Sequence, residues 1–202
     1  MISLISNNKL DENKNSFTVT YPRTVNIIFG NYDYPDIINN LIIDIKNNLD
    51  PKMQNFTNVK GGMTSWTHFN NNKMFKDFII HLINKYQVTH SNLFQYFLEK
   101  KTIESAWGNE IKKGDSLKYH THTCWHGILY LTQGCDLNLP ELNLKITPQP
   151  GDYYIFPPEI LHGFDQYLGE KNRYSLIFNI VEKEDNFNFS KKLEEKNARK
   201  NS

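Results

Sequence analysis

Tyr119-His120-Thr121-His122 is the stretch whose reading decides the fold. Side chains alternate along a β-strand, so two histidines separated by one residue put both imidazoles on one face. His162, far beyond the pair in sequence, can close a metal site with it if the intervening strands return as a barrel. A divalent transition metal with open coordination positions takes two or three imidazoles, often with one carboxylate. The position that often carries the carboxylate is His122 here, so the leading reading is a three-histidine catalytic metal site of His120, His122 and His162. His126, at the start of the next strand, is the alternative ligand or a support behind the site. The chain has 7 histidines, and any one alone fits a surface or core role. The pair, the spaced third residue and the strand context together point to metal. Asp115 and Asp152 each follow a glycine and read as turn residues rather than ligands.

Working outward, the chain changes character at Lys101. Beyond it, short alternating runs are separated by turn signals, the pattern of an all-β sandwich or barrel. Strands are expected near 103–111, 117–122, 126–132, 136–146, 152–156, 161–165 and 173–181. Turns fall at Lys113-Gly114-Asp115, Gln133-Gly134, Pro148 to Gly151 and Gly169 to Asn172. Before Lys101, Phe17 to Thr20 and Val25 to Phe29 read as strands. Asp33 to Asn48 reads as a helix, with Pro35 in the first turn where its missing N–H costs nothing. Ile37, Leu41, Ile45 and Leu49 recur at helical spacing. Residues 55–72, with Gly61-Gly62 and many asparagines, read as a loop. A second helix starts near Lys73 on the stripe Phe75, Phe78, Ile79, Leu82, Ile83 and Tyr86, and a shorter one follows over Asn92 to Glu99. Residues 1–15 are polar, an edge element at best, and 182–202 form a charged tail. The fold class is mainly β with N-terminal helices. Residues 1–101 form a layer of strands and helices supporting a jelly-roll (double-stranded β-helix, cupin-like) core over 102–181, in one domain overall.

Bulk composition narrows the partners. The chain has 202 residues, 39% of them hydrophobic and 13% aromatic, enough for a sizeable core. The formal net charge of +1 supplies no global field for nucleic acid or membrane. No apolar run approaches the ~18–20 residues of a membrane span. Met1 to Asn15 has no apolar core of a secretory signal, and two cysteines do not make a disulfide framework. A reducing, cytoplasmic setting is expected.

Arg173, Ser175, Ile177 and Asn179 share one face of the last expected strand, and Tyr174, Leu176, Phe178 and Ile180 the other. A guanidinium fork matches a carboxylate in two places and a hydroxyl adds a third bond, which suits the far end of a dicarboxylic cosubstrate. Trp107 and Asn109 share a face of the first barrel strand. Tyr130 lies on the third, in step with His126. Asn109 or Tyr130 facing inward would bond the cosubstrate, and Trp107 would wall the pocket; plain core packing is the competing role. Trp66, in the loop Gly61 to His68, marks a candidate substrate lid with glycine hinges.

The ordered set Thr64-Ser65-Trp66, Trp107-Gly108-Asn109, Gly114-Asp115, His120-Thr121-His122, Tyr130-Leu131, Pro148 to Asp152, Phe156-Pro157, His162 and Arg173-Tyr174-Ser175 resembles the iron(II)- and 2-oxoglutarate-dependent oxygenases. It is most similar to a group of small members found in phages and marine bacteria, over roughly residues 60–181. The resemblance implies a double-stranded β-helix, iron held by His120 and His162, and 2-oxoglutarate held by Arg173 with Ser175 assisting. It further implies a dioxygenase that consumes O2, releases succinate and CO2, and hydroxylates a substrate C–H. Most of that superfamily has Asp or Glu where this chain has His122. The first and second cupin motifs are also similar here, with Gly114 before His120 and Gly151, Pro157 and His162 in step. Two alternatives follow: a cupin-type isomerase or cosubstrate-free dioxygenase using His120, His122, His126 and His162, and a non-catalytic metal- or ligand-binding barrel. The expected partner is a small-molecule or peptide substrate and not a membrane, the charge argues only weakly against nucleic acid, and a homodimer is left open.

Overall fold

The structure, a computed structural model, describes residues 2–4, 16–21, 23–54, 58–89 and 101–183. The strands are β1 (Ile2–Leu4), β2 (Ser16–Tyr21), β3 (Arg23–Asn31), β4 (Val59–Lys60), β5 (Gly62–Met63), β6 (Lys101–Ile111), β7 (Ser116–His120), β8 (Trp125–Tyr130), β9 (Leu137–Leu139), β10 (Leu144–Ile146), β11 (Asp152–Phe156), β12 (His162–Gln166) and β13 (Arg173–Glu182). Among the described residues two α-helices, α1 (Pro35–Asn47) and α2 (Lys73–Thr89), precede the main strands. One sheet runs β1-β10-β9-β12-β7-β4 and the other β2-β3-β11-β8-β13-β6-β5. This is the jelly roll with N-terminal helices that the alternating runs after Lys101 predict.

The larger sheet is buried on both faces. Tyr174, Leu176, Phe178 and Ile180 of β13 pack with Leu41 and Ile45 of α1 and with Phe75, Phe78 and Leu82 of α2. Both helices thus cover the outer face. The inner face meets the smaller sheet through Ile128, Tyr154 and Phe156 on one side and Leu137, Leu144 and Ile146 on the other. Pro35 occupies the first turn of α1. At the start of α2, the Asn72 carboxamide oxygen accepts from the N–H groups of Met74 and Phe75, at 2.9 and 3.2 Å, a side-chain cap that satisfies donors the helix leaves unpaired. The same carboxamide donates to Asp44 of α1 at 2.7 Å, tying the two helices. The turn roles read for Asp115 and Asp152 hold. Asp115 accepts from Lys112 N–H at 2.7 Å, and Asp152 from Gln149 N–H at 2.8 Å. Gly151, immediately before Asp152, takes a φ of +88°, open to glycine at little cost.

Three expectations are corrected. The run 136–146 is two strands, β9 and β10, hairpinned through a 3-10 turn at Pro140–Leu142. Proline has no N–H for a ladder and holds φ near −65°, and Asn143 then turns the chain with φ of +50°. The run 55–72 is not simply a loop. Val59 and Lys60 pair with β7 in one sheet, and Gly62 and Met63 with β6 in the other, so the chain crosses between sheets at Gly61. On α1 the most buried stripe is Ile38, Leu41 and Ile45, with Ile37 and Leu49 packed at its edge. The N-terminal edge element is β1, paired to β10. The expected helix over Asn92 to Glu99, residues 5–15, the Tyr86 side chain and the tail beyond residue 183 lie outside the described residues.

Helix α1 reaches the sheet where β6 carries Gly108. A Cβ there would sit 2.3 Å from Cγ1 of Ile45. Gly108→Ala is expected to destabilise the fold by about 1–3 kcal/mol through overpacking, read as a lower urea midpoint at unchanged slope. Adding Ile45→Ala should recover part of that loss. An unchanged midpoint in the single variant would contradict the packing.

Candidate functional site

His120 ends β7 and His162 begins β12, and the antiparallel ladder sets these two residues directly opposite each other. Their rings face at a centroid separation of 4.5 Å. His122 lies two residues past the end of β7, where its backbone N–H donates to Pro158 O at 2.9 Å. One ligand atom from each of His120, His122 and His162 falls within 4.8 Å of the others. The three marked histidines are brought together, but not by alternation: the strand expected over 117–122 ends at His120, and His122 is placed by the chain beyond it, held at Pro158.

Tautomers follow from the partners. His120 Nδ1 lies 2.8 Å from Lys118 O, and His162 Nδ1 lies 3.0 Å from Ile160 O. A carbonyl oxygen only accepts, so each Nδ1 carries the proton and each Nε2 keeps its lone pair. His122 Nε2 is buried with no hydrogen-bond partner. Buried polar atoms are ordinarily paired, and one left over marks a place for an absent partner. Neutral imidazole nitrogens of this kind suit a divalent transition metal. The donor set fits such an ion.

Burial is also the chief cause that holds these rings neutral. It lowers the pKa of His120, pushes His122 down to about 3 with help from His162 and His120, and pushes His162 down to about 4. No carboxylate joins the triad among the described residues. His126 is buried next to it. Its ring lies face to face with that of His122, centroids 3.7 Å apart and planes 13° apart, and its Nδ1 is 3.0 Å from Asn179 Oδ1.

Beyond the triad the pocket deepens along the inner face of the larger sheet, forming a cavity of about 320 Å³. Ser175 of β13 pairs with Asn109 on β6 and with Tyr130 on β8, so the three face inward in one row. Arg173 lies one pleat further on the same face, 4% exposed. Its guanidinium carbon sits 4.8 Å from the Tyr130 ring centre and 5.1 Å from that of Phe164. Among the described residues no carboxylate forms an ion pair with it. Burial raises the Tyr130 hydroxyl to about 12 against the opposing pull of Arg173, so it stays a donor. Trp107 Nε1, Asn109 Oδ1 and Arg173 Nε are buried here without partners, as is His122 Nε2. Only Asn70 Oδ1 and His81 Nε2 share that state elsewhere among the described residues. Unsatisfied polar atoms therefore concentrate in this one pocket.

Trp66 is half-exposed at the mouth, edge-on to Trp107 with ring centres 4.6 Å apart. The lid expected around it is a strap. Thr64 exchanges hydrogen bonds with Gly108, its N–H to Gly108 O and Gly108 N–H to its hydroxyl, both at 3.0 Å. Sequence reading assigned no role to Asn179 or Phe164. Period-two alternation on β13 already set Asn179 on the Arg173 face, so the signal for it was present. Phe164 against Arg173 depends on how the two sheets meet.

No family model and no curated protein matches the chain. Solved structures do resemble it. A viral collagen prolyl hydroxylase from Paramecium Bursaria Chlorella virus-1, in complex with 2OG, aligns with a TM-score of 0.56 at 15% identity, covering 75% of this chain and 94% of that one. A prolyl-4-hydroxylase from Pseudomonas putida gives 0.58 at 14%, covering 76% and 91%. HygX from Streptomyces hygroscopicus, with nickel and 2-oxoglutarate bound, gives 0.55 at 10%, covering 76% and 82%.

The neutral imidazoles carry a pH signature. The folded pKa values lie below the ordinary 6.5, so the unfolded chain binds more protons in the intervening range and stability rises with pH. The metal-free protein should be fully stabilised above about pH 6.5 and lose stability as pH falls toward about 4 and then about 3. His122→Gln should flatten that fall in urea midpoints measured from neutral to acid pH. An identical slope in the variant would contradict the depressed value. With two solved hydroxylases and a 2-oxoglutarate-bound protein sharing its architecture, the chain has the jelly-roll fold of the 2OG-Fe(II) oxygenases.

Proposed function

We propose that the protein is an Fe(II)- and 2-oxoglutarate-dependent dioxygenase that hydroxylates an unactivated C–H of its substrate. The observation that carries this reading is Arg173, a buried cation with no carboxylate partner among the described residues, in the same pocket as the histidine triad. An unpaired buried charge is costly, and a bound carboxylate would relieve it with a bidentate, charge-assisted pair. A cupin-type enzyme without a cosubstrate has no use for that arginine.

In this reading His120, His122 and His162 hold the iron through imidazole nitrogens. When bound, iron supplies the chemistry that couples oxidative decarboxylation of 2-oxoglutarate by O2, giving succinate and CO2, to hydroxylation of the substrate. Arg173 and the Ser175 hydroxyl hold the far carboxylate, and the Tyr130 hydroxyl adds a donor beside them. The unpartnered Asn109 and Trp107 groups line the path between carboxylate and triad and orient what lies there. The walls Ile128, Ile177 and Phe164 exclude water from the clamp, which strengthens each of its charged hydrogen bonds.

The substrate's reacting part is uncharged. Apart from Arg173 and the histidines, the described lining has no ionisable side chain except the Tyr130 phenol, and its mouth offers Trp66, Thr121, Thr123 and Asn58. Such a mouth suits a neutral group on a small molecule or a peptide. No helix among the described residues is long and apolar enough to cross a membrane, and the free thiols Cys124 and Cys135 suit a reducing, cytoplasmic setting.

Succinate formation tests the reading. Anaerobically iron-loaded protein given 2-oxoglutarate should release succinate once O2 is admitted, and more of it with a pool of candidate metabolites. Arg173→Ala should raise the 2-oxoglutarate concentration for half-maximal turnover by about 30-fold or more, the loss of about 2 kcal/mol or more expected for a buried charge pair. Metal affinity should be unchanged. No succinate from metal-loaded protein would turn the reading toward a cupin-type enzyme or a binding barrel, and an unchanged 2-oxoglutarate requirement would remove Arg173 from its role.

A further inference from the structure

The three triad histidines are not held alike. His120 and His162 are each fixed by an Nδ1–H bond to a backbone carbonyl on their own segment. The His122 side chain makes no hydrogen bond among the described residues, and it stands beyond the last residue of β7. What meets its ring is His126, face to face at 3.7 Å. Rings whose centres are that close and whose planes differ by 13° cannot lie side by side, and an imidazole lone pair lies in its ring plane. One ion cannot occupy both planes, so the same arrangement keeps His126 from ligating together with His122.

His126 is itself firmly placed. It sits in the middle of the larger sheet, paired with Phe156 on β11 and with Asn179 on β13. Asn179 Oδ1 only accepts, so the Nδ1–H of His126 donates to it at 3.0 Å and fixes the ring about its own axis. The Phe156 and Trp107 rings stand 5.6 and 6.1 Å from it, boxing it on further sides.

We infer that His126, pinned by Asn179, is a positioning residue: its ring face holds the His122 imidazole in the orientation that binds the metal. It replaces the backbone carbonyl that orients the other two ligands. Groups that orient a ligand histidine in this way typically matter by 10–100-fold in metal affinity. The inference rests on the triad's being a metal site, and not on the identity of any cosubstrate.

Co(II) serves as the probe, because its visible absorption reports both ligand number and geometry. Titrations of the full metal-free chain are compared for wild type, His122→Ala, His126→Ala, His126→Phe and Asn179→Ala. The expected result is that His126→Ala weakens Co(II) binding by about 10–100-fold and changes the absorption. His126→Phe, which keeps a flat ring without a donor nitrogen, should restore the wild-type spectrum and most of the affinity. Asn179→Ala, which leaves all the histidines in place, should weaken binding in the same direction; if the larger Phe ring disturbs folding, His126→Leu, which has no donor nitrogen and fills the same space, carries the test by keeping more affinity than His126→Ala. Equal losses in the Phe and Ala variants, whatever Asn179→Ala does, would make His126 a ligand and overturn the inference. So would wild-type binding in His126→Ala and Asn179→Ala, or in His122→Ala. Failure of the wild-type protein to bind Co(II) at all would instead overturn the metal site on which the inference stands.

Discussion

Register between β13 and its two neighbours is the constraint on which the pocket depends. Ser175 stands opposite Asn109 on one side and Tyr130 on the other, and Asn179 stands opposite His126. Because side chains alternate with a period of two, a slip of one residue would turn Arg173 and Ser175 toward α1 and α2 and bring Tyr174 and Leu176 into the cavity. The outward face prevents that slip. Leu176 and Phe178 have no exposure and are packed under the two helices. The aromatic layer that carries no chemistry therefore fixes the direction of the polar row that does.

The second sheet gathers the proposed metal ligands through an equally simple device. An antiparallel pair places His162 across from His120, and the chain past β7 brings in His122. Three neutral imidazoles leave the charge of a divalent ion wholly uncompensated, where a carboxylate ligand would cancel one unit. An anionic cosubstrate beside such an ion gains about 4 kcal/mol per unit charge at 4 Å for an effective dielectric of 20. Burial meanwhile holds the imidazoles neutral. A buried carboxylate in the same place would have to be paired or protonated whenever no ion was bound.

Much of this was legible in the chain. β13 declared two faces through Arg173, Ser175, Ile177 and Asn179 against Tyr174, Leu176, Phe178 and Ile180, whereas His122, expected to share a strand face with His120, lies beyond the end of β7. The two faces of β13 are local, period-two facts, and both helices were equally plain from their spacing. The break at Pro140 was also local and was overridden by the apolar run on either side of it. What could not be read was contact between segments distant in the chain. The strap at Gly61 joins β7 and β6 through four residues too short to show a pattern. The face-to-face packing of His122 on His126 depends on where the chain after β7 lies against Pro158. Sequence spacing therefore left His126 open between ligand and support, and the stacked rings keep His122 and His126 from ligating one ion together.

In the proposed enzyme three imidazoles and no protein carboxylate hold the metal. X-ray absorption spectroscopy of the anaerobic Fe(II)-loaded protein tests it most directly, because multiple scattering from imidazole rings can be counted. Three imidazoles are expected on the iron in the wild-type protein and two in His122→Ala. Two imidazoles in both proteins, with oxygen ligands making up the remainder, would contradict this assignment.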